Sequence, residues 1–220
     1  MRYIALDISS NTGYAVFDND KLIAYDVFTR KVEGFKADIK AFTDLPDIYP
    51  YNFMKASQEV ARLCHNAYGK YGCSMAVIEH PELGKQRLSQ RLLEWNNLAV
   101  CQRFQEFGIP FKYLLVADWR KRVQCYLRYW PEHQKWNKEV GKAQKIAKKE
   151  SEKLGRKVMA KIDGKVVSKI NQKKLSIILA NEKYGITIKD DNIADAINLG
   201  RAAWELELVN ESSKLSVMRR

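Results

Sequence analysis

The chain has 220 residues, of which 46% are hydrophobic, so it is long and apolar enough to fold around a sizeable core of its own. Its four cysteines form no CxxC pair and its three histidines lack the spacing of zinc ligands, which argues against a disulfide framework or a structural zinc site and predicts reduced thiols. The net charge is +12, no apolar run reaches transmembrane length and the first residues lack a signal-peptide pattern, so we expect a polyanionic partner, no membrane contact and a cytoplasmic location.

The first thirty residues predict three strands joined by tight turns. Residues 3–9 have the apolar character of a buried strand that carries Asp7, and residues 14–17 and 22–28 predict two more strands. The first turn ends on Gly13, which is able to take a positive φ, and the short connections favour an antiparallel meander. A carboxylate inside a buried strand is costly unless it is paired or bound to a metal, so Asp7 is the first candidate site residue.

The middle of the chain predicts a long surface loop at 29–50, a helix at 52–68 and a short apolar strand at 74–81 that ends on Glu79. A carboxylate at the C-terminal end of a central strand lies where α/β proteins gather their sites, although a strand exit also suits an ordinary surface glutamate. A long helix is predicted at 83–107, and its apolar residues extend over more than one face, so it is a candidate contact with a partner.

A further strand is predicted at 110–116, followed by a helix at 119–129 for which Asp118 is a suitable cap. From this point the chain becomes strongly basic. Residues 120–174 hold 18 Lys or Arg against 5 Asp or Glu, a local charge of +13 that leaves the rest of the chain close to neutral. A basic segment beside clustered carboxylates suggests a polyanionic substrate, whereas the simpler alternative is a solvated lysine-rich helix.

The basic segment predicts an amphipathic helix at 136–153 and a hairpin at 158–167 that turns on Asp163-Gly164, a strong short-range hairpin signal. A basic helix and a basic ribbon can both follow a phosphate backbone, so we expect DNA contacts along this stretch and the flanking helices. The candidate DNA-binding residues are Arg120, Lys121, Arg122, Lys142, Lys145, Lys149, Lys161, Lys165, Lys173 and Lys174.

The last predicted helix, at 191–208, begins with acidic residues and continues with apolar ones. Asp191 and Asp195 are four residues apart, so they share a helical face and repel each other, which a divalent cation would offset. A capping role for Asp190 or Asp191 would explain one aspartate at the helix start but leaves Asp195 without a role.

Four carboxylates are therefore candidates for a single site: Asp7, Glu79, Asp191 and Asp195. A set without histidine or cysteine suits hard cations, Mg²⁺ or Mn²⁺, rather than zinc. Two such ions about 3.5–4 Å apart activate water and stabilise the leaving oxygen of a phosphodiester. In that arrangement Asp7 bridges both ions, Glu79 and Asp195 complete the separate shells, and Asp191 assists.

Three motifs in this order resemble the RuvC-type Holliday junction resolvases, in particular their divergent phage, poxviral and mitochondrial branch. The motifs are Asp7 with Ser9-Ser10-Asn11-Thr12-Gly13-Tyr14, then Val77-Ile78-Glu79, then Asp191-Asn192-Ile193-Ala194-Asp195-Ala196. The resemblance implies an α/β, RNase H-like fold: a mixed five-stranded sheet, three antiparallel strands then two parallel, flanked by helices. It also implies a homodimer, paired Mg²⁺-dependent nicks across a four-way DNA junction, the four carboxylates as catalytic residues, and the host-cell cytoplasm if the source is a phage.

The sequence departs from the bacterial members of that family in three places. Their last two acidic positions are usually three apart, which would select Asn192; we take the ionised Asp191, with Asp190 as a further alternative. The aromatic wedge that usually follows the Glu79 position is replaced by His80. The basic stretch at about 134–172 looks like an insertion that would broaden binding to several branched DNAs, within one domain that spans 1–220 and ends in a frayed tail at about 210–220.

Other functions remain open from the residues alone. The turn at 7–13 also resembles the first phosphate loop of actin-like kinases, but such kinases need two copies of the fold and a second phosphate loop is not evident. A non-catalytic protein that binds branched DNA would leave the carboxylates unused. A ribonuclease acting on RNA–DNA hybrids or structured RNA is separated from a resolvase only by the family resemblance.

Overall fold

A computed structural model describes residues 1–9, 11–28, 51–81 and 87–209, with 51–53 and 87–92 described by their backbone alone. The predictions of a surface loop at 29–50 and of a frayed tail at 210–220 lie outside these ranges. So do residues 83–86, the start of the helix predicted at 83–107.

The centre of the fold is a five-stranded mixed sheet. The strands are β1 (Arg2–Asp7), β2 (Thr12–Asp18), β3 (Lys21–Phe28), β4 (Met75–His80) and β5 (Phe111–Leu115). Their order across the sheet is β3-β2-β1-β4-β5; β2 is antiparallel to both β1 and β3, whereas β4 is parallel to β1 and β5 is parallel to β4. The predicted topology, three antiparallel strands then two parallel, is confirmed.

Six helices are described around the sheet. They are α1 (Tyr51–Lys70), α2 (Arg87–Glu106), α3 (Val116–Arg122), α4 (Pro131–Leu154), α5 (Gln172–Tyr184) and α6 (Asp191–Glu205). Helices α1 and α2 cover one face of the sheet, and α6, backed by α5 and α3, covers the other. None of the described helices is both long enough and apolar enough to cross a membrane.

The alternation of side chains along β1 and β4 decides which face each carboxylate joins. Tyr3 and Ala5 of β1 point into the core beneath α6, whereas Ile4 and Leu6 point into the core beneath α1 and α2. Because side chains alternate along a strand, Asp7 continues the face of Tyr3 and Ala5. By the same reasoning Glu79 continues the face of Met75 and Val77, which also lie beneath α6. Both carboxylates are thus directed to the side of the sheet that α6 covers.

The bounds of three predicted helices are wrong by three residues or more. The helix expected at 136–153 begins five residues earlier, at Pro131. The helix expected at 119–129 begins three residues earlier, at Val116, directly out of β5, so Asp118 lies in its first turn and Leu115 occupies the N-cap position. It ends at Arg122 because Gln124 takes a left-handed conformation (φ 57°), and a short 3-10 turn follows. The last helix ends at Glu205 rather than at residue 208.

The basic segment forms an arm made of α4 and the strand pair that returns along it. Asp163 and Gly164 have φ angles of 48° and 76°, so the hairpin turns where predicted, although β6 (Lys161–Ile162) and β7 (Lys165–Val166) have only two residues each. Asn137, near the start of α4, is hydrogen-bonded to Ile170 at the base of the arm. Its amide group donates to the carbonyl of Ile170 and accepts from the Ile170 N–H, each at 2.7 Å.

Candidate active site

Asp7 and Glu79 lie side by side where two neighbouring parallel strands end. Leu6 pairs with Ile78 in the register of β1 and β4, so the next residue of each strand is a half-buried carboxylate directed to the α6 face. The sequence predicted a strand end for Glu79 but placed Asp7 inside a strand at 3–9, whereas β1 ends at Asp7; the parallel pairing explains why the two residues meet. This edge of the sheet therefore concentrates two negative charges before α6 contributes any.

The three polar residues at the start of α6 make different contacts. Asp190 is the N-cap, and its carboxylate accepts from the backbone N–H groups of Asn192 at 2.9 Å and Ile193 at 3.3 Å. The side chain of Asn192 donates to Asp190 at 3.1 Å and accepts from the hydroxyl of Ser9 at 3.3 Å. Asp191 instead pairs with Lys173 of α5. The capping alternative thus applies to Asp190 and leaves Asp191 on the same face as Asp195.

Gly13 allows α6 to approach the sheet closely. A Cβ atom on Gly13 would lie 2.1 Å from the carbonyl oxygen and 2.4 Å from the carbonyl carbon of Asn192. Both atoms belong to the backbone, so they cannot rotate away as a flexible side chain could. The absence of a side chain at Gly13 therefore sets how near the Asp191–Asp195 turn comes to Asp7.

We expect Gly13→Ala to displace the start of α6 and to destabilise the fold by about 1–3 kcal/mol, the usual cost of overpacking. Cleavage activity should fall further than stability, because Asp191 and Asp195 would move relative to Asp7. Gly69→Ala is the matched control, since Gly69 lies inside α1 with open space around its Cα, where alanine favours the helix. Thermal unfolding of both variants checks this; equal melting temperatures for Gly13→Ala and wild type would contradict it.

The four predicted carboxylates act on one another. Burial is the largest cause of a raised pKa at Asp7, which lies well above the usual range for an aspartate. The charges of Glu79, Asp195 and Asp191 raise the Asp7 pKa further, in that order. Burial also raises the pKa of Asp195, and a hydrogen bond from Ser176 opposes that rise. The structure thus brings the predicted set into one electrostatic cluster.

Two of the predicted DNA-binding residues lie at this cluster. Lys173 pairs with Asp191, and Asp191 is the main cause of a raised pKa at Lys173. Arg120 lowers the pKa values of Asp7 and Asp195, and its guanidinium stacks 5.1 Å from the ring of Trp119. Its Nε atom is buried and finds no hydrogen-bond partner among the residues that the structure describes. Arg120 and Lys173 therefore place positive charge against the carboxylates.

The other predicted DNA-binding residues are spread along the surface. Lys121 is exposed, and Arg122 is bound at the far end of α6, where it donates to the carbonyl of Glu205 at 2.6 Å and pairs with its carboxylate at 3.3 Å. Lys174 donates to the hydroxyl of Ser168 at the base of the arm. The remaining five are exposed on α4 and the hairpin: Lys142, Lys145, Lys149, Lys161 and Lys165.

No protein-family model and no curated protein matches the sequence. Solved structures do match it. RuvC of Thermus thermophilus in complex with a Holliday junction substrate superposes with a TM-score of 0.56 at 9% identity, covering 94% of this chain and 96% of that one. A second T. thermophilus RuvC structure gives 0.55 at 10% identity, covering 95% and 97%. The fold of this chain is RuvC-like. The yeast mitochondrial Holliday junction resolvase Ydc2 gives 0.43 at 15% identity, covering 98% and 85%.

The RuvC-like fold does not by itself establish a metal site, so the side chains of the cluster decide whether a cation fits. Within the described ranges, the carboxylate, imidazole and thiol groups form no set of three that could hold a metal ion as they stand. The donor chemistry nevertheless fits Mg²⁺ or Mn²⁺, because the cluster consists of oxygen ligands that repel one another. At present Lys173 supplies part of the compensating charge, through Asp191. The cluster therefore has the ligand type and the unbalanced charge that a hard cation requires.

The sequence did not reveal three residues that support the cluster of this RuvC-like fold. The indole of Trp119 donates to Glu79 Oε2 at 2.7 Å. Ser176 hydrogen-bonds to Asp195 and receives a hydrogen bond from Asn198 at 2.9 Å. The sequence around Trp119 is typical of an ordinary helix start after a capping aspartate, and the sequence around Ser176 is typical of an ordinary helix. Neither residue therefore has a motif that distinguishes it from other core residues. The only signal at Asn198 is its polarity on the buried face of α6.

Proposed function

We propose that this chain is a metal-dependent endonuclease that resolves four-way DNA junctions by paired phosphodiester hydrolysis. The observation that carries the proposal is the cluster of Asp7, from β1, with the three carboxylates that repel it, one from β4 and two from α6. An acidic cluster at a sheet edge, with an arginine and a lysine directed at it and a basic arm nearby, suits a phosphodiester substrate. The RuvC-like fold supports the same activity, since one structure with this fold is a complex with a Holliday junction substrate.

The carboxylates that would hold the cations are Asp7, Glu79, Asp191 and Asp195. Mg²⁺ or Mn²⁺ bound there, two ions in each site, supplies an activated water and stabilisation of the leaving oxygen. Asp7 is the best placed to be shared between two ions, because its carboxylate is repelled by the other three members. Asp191 is preferred as the ligand at the start of α6, because Asp190 Oδ1 and the Asn192 side chain already take part in the helix cap.

The two cationic side chains would receive the DNA backbone. The guanidinium of Arg120 lies near Asp7 and Asp195, and arginine donates strongly to phosphate oxygens. The side chain of Lys173 is 69% exposed, so its ammonium can move from Asp191 to an incoming phosphate while staying in contact with solvent. Substrate binding would thereby release Asp191 to take part in cation binding.

Two matched nicks need two sites, so we infer a homodimer. On α2, the helix that the sequence favoured as a contact surface, Leu98 is 58% exposed, and Phe107, just beyond the helix, is 56% exposed. These apolar side chains lie on the sheet face opposite α6. A second copy packed there would leave the acidic cluster of each copy open to DNA.

The rival functions receive less support. An actin-like kinase needs two copies of the fold, and the described residues contain a single five-stranded sheet beside the two-stranded hairpin. A non-catalytic DNA-binding protein gives no reason to retain four carboxylates whose repulsion destabilises the fold. Other branched DNAs and RNA–DNA hybrids remain possible substrates of the same chemistry.

The deciding experiment is cleavage of a synthetic four-way DNA junction by the wild-type chain, with Mg²⁺ and with a chelator. We expect symmetric nicks on two opposing strands that appear only with the metal. Linear duplex, Y-shaped DNA and an RNA–DNA hybrid serve as comparison substrates, and ATP turnover is measured in parallel. Nicks only in the hybrid would point to a ribonuclease, and ATP turnover without any nicking would overturn the proposal in favour of a kinase.

A further inference from the structure

Trp119 lies at a point where three elements converge beneath the acidic cluster. Helix α3 starts directly after β5, without a loop, and β5 pairs in parallel with β4 so that Leu114 is opposite Glu79. This geometry carries the fourth residue of α3, Trp119, back under the end of β4. Its side chain is completely buried in the core between the sheet and α6.

The indole N–H of Trp119 is directed at the carboxylate. It donates to Glu79 Oε2 at 2.7 Å, a short distance for an N–H donor and typical of a charged acceptor. A buried indole N–H needs an acceptor, and backbone carbonyls usually serve. Trp130 and Trp136 follow that pattern, since they donate to the carbonyls of Gln124 and Ser168. Trp119 differs because its acceptor is one of the predicted site residues.

Burial of the ring makes this hydrogen bond an orienting contact. The indole cannot rotate, because it is packed on all sides, so the direction of its N–H is fixed by the core. Glu79 is half-buried at a strand end and has several rotatable bonds of its own. The rigid partner therefore restricts the positions that the flexible carboxylate can take.

Asp195 is held in a similar way. The amide of the buried Asn198 donates to the hydroxyl oxygen of the buried Ser176 at 2.9 Å, so the single hydrogen of that hydroxyl is directed elsewhere. The Asp195 carboxylate is one of the two acceptors within reach of the Ser176 hydroxyl, and the Cys125 thiol is the other. Core donors thus reach two of the four carboxylates from beneath, which indicates that their orientation is built into the fold.

We propose that Trp119 is a positioning residue whose indole N–H holds the Glu79 carboxylate in the orientation that binds the cation. This inference rests on the proposed nuclease function. Partners of metal-binding side chains typically change metal affinity 10–100-fold when they are removed, although they never touch the ion. A tryptophan that only filled the core would affect stability and leave the cation affinity of the folded protein unchanged.

The test measures Mg²⁺ binding by isothermal titration calorimetry, without DNA, so that it does not depend on cleavage. Trp119→Phe removes the N–H and part of the ring. Replacing Trp119 by 3-benzothienylalanine removes the N–H alone and keeps the ring shape, so the core stays filled. Trp130→Phe is the matched control, because it also deletes an indole N–H, but one bound to a backbone carbonyl outside the cluster.

We expect both changes at Trp119 to weaken Mg²⁺ binding by about 10-fold or more, and Trp130→Phe to leave it unchanged. In a Glu79→Gln background, the change at Trp119 should add little further loss, because the group that it orients is already absent. Wild-type affinity in the folded benzothienylalanine protein would overturn the inference. If the wild-type protein itself neither binds Mg²⁺ nor cuts junctions, the proposed function fails instead, so the two failures are distinguishable.

Discussion

Asp7→Asn should abolish strand cleavage and at the same time make the metal-free protein more stable. The loss of activity follows from removing the carboxylate that the other three surround, because metal-assisted stabilisation of several kcal/mol corresponds to a rate effect on the order of a thousandfold. The gain in stability follows from the raised pKa of Asp7, since burial and three neighbouring carboxylates oppose its ionised form. Binding of junction DNA should remain nearly intact, because the basic residues are unchanged.

The pH dependence of stability follows from the sign of that pKa shift. A carboxyl group whose folded-state pKa is raised contributes stability that is complete below its unfolded pKa, about 3.9, and is lost as the pH rises through its folded pKa. In chelator, the melting temperature of the wild-type protein should therefore fall, relative to that of Asp7→Asn, as the pH rises above about 4. Added Mg²⁺ should reverse the difference, because a cation that binds only the folded wild type stabilises it.

The measurement is thermal unfolding from pH 4 to pH 8, in chelator and in Mg²⁺, beside junction cleavage and gel-shift binding. Asp118→Asn is the matched control, because Asp118 is an exposed carboxylate in the first turn of α3 and is not part of the acidic cluster. At this chain length, 1 kcal/mol corresponds to about 2–4 °C in melting temperature, so a difference of a few degrees is readily detected. A less stable Asp7→Asn protein that also loses DNA binding would show that Asp7 has a structural role instead.

Changing Lys142, Lys145 and Lys149 together to glutamine should weaken DNA binding by about two to three orders of magnitude at 0.1 M salt. These residues belong to a stripe on α4 that faces away from the buried residues Val140 and Ala147. The members of the stripe, all exposed, are Lys135, Lys138, Lys142, Lys145, Lys149 and Lys153. Their spacing of three or four residues keeps them on one face over about 27 Å, long enough to follow a DNA backbone.

Salt dependence distinguishes phosphate contact from a general loss of charge. Each lysine that neutralises a phosphate contributes about 0.9 to the magnitude of the slope of log K against log salt. That magnitude should therefore be smaller by up to about 2.7 in the triple variant. The control changes Lys21, Lys70 and Lys183 to glutamine; it removes the same charge from around the opposite end of β1. If both triple variants lose equal affinity and keep the wild-type slope, the arm does not contact the backbone.

The sheet could be predicted because its signals are local. The apolar character of the first strands and the Asp163-Gly164 pair each specify nearby geometry, and both appear where expected, whereas Gly13 lies inside β2 without a positive φ. The helix after β5 could not be placed, because its start depends on the continuous passage from strand to helix at Val116, and its end on the left-handed Gln124. Neither Val116 nor Gln124 is a residue type whose conformational propensity predicts a helix start or a helix end.

The candidate site divides in the same way. The four carboxylates were identifiable because an acidic residue among apolar neighbours is costly in any fold. Trp119, Ser176 and Asn198 were not, because a residue that orients another is defined by a distance across the fold rather than by its neighbours in sequence. The roles of Asp190, Asp191 and Asn192 could be separated only when the cap hydrogen bonds at the start of α6 were seen.

The acidic cluster joins the first strand of the chain to its last described helix, and this has a consequence for synthesis on the ribosome. Asp7 and Asp195 are 188 residues apart, so at roughly 5–20 residues per second roughly 10–40 s separate their translation. During that interval the nascent chain contains Asp7 and Glu79 but lacks the helix that completes the cluster and covers Tyr3 and Phe17. Docking of α6 covers this face of the sheet and brings Asp191 and Asp195 to Asp7, so a chain that ends before α6 lacks two of the four carboxylates.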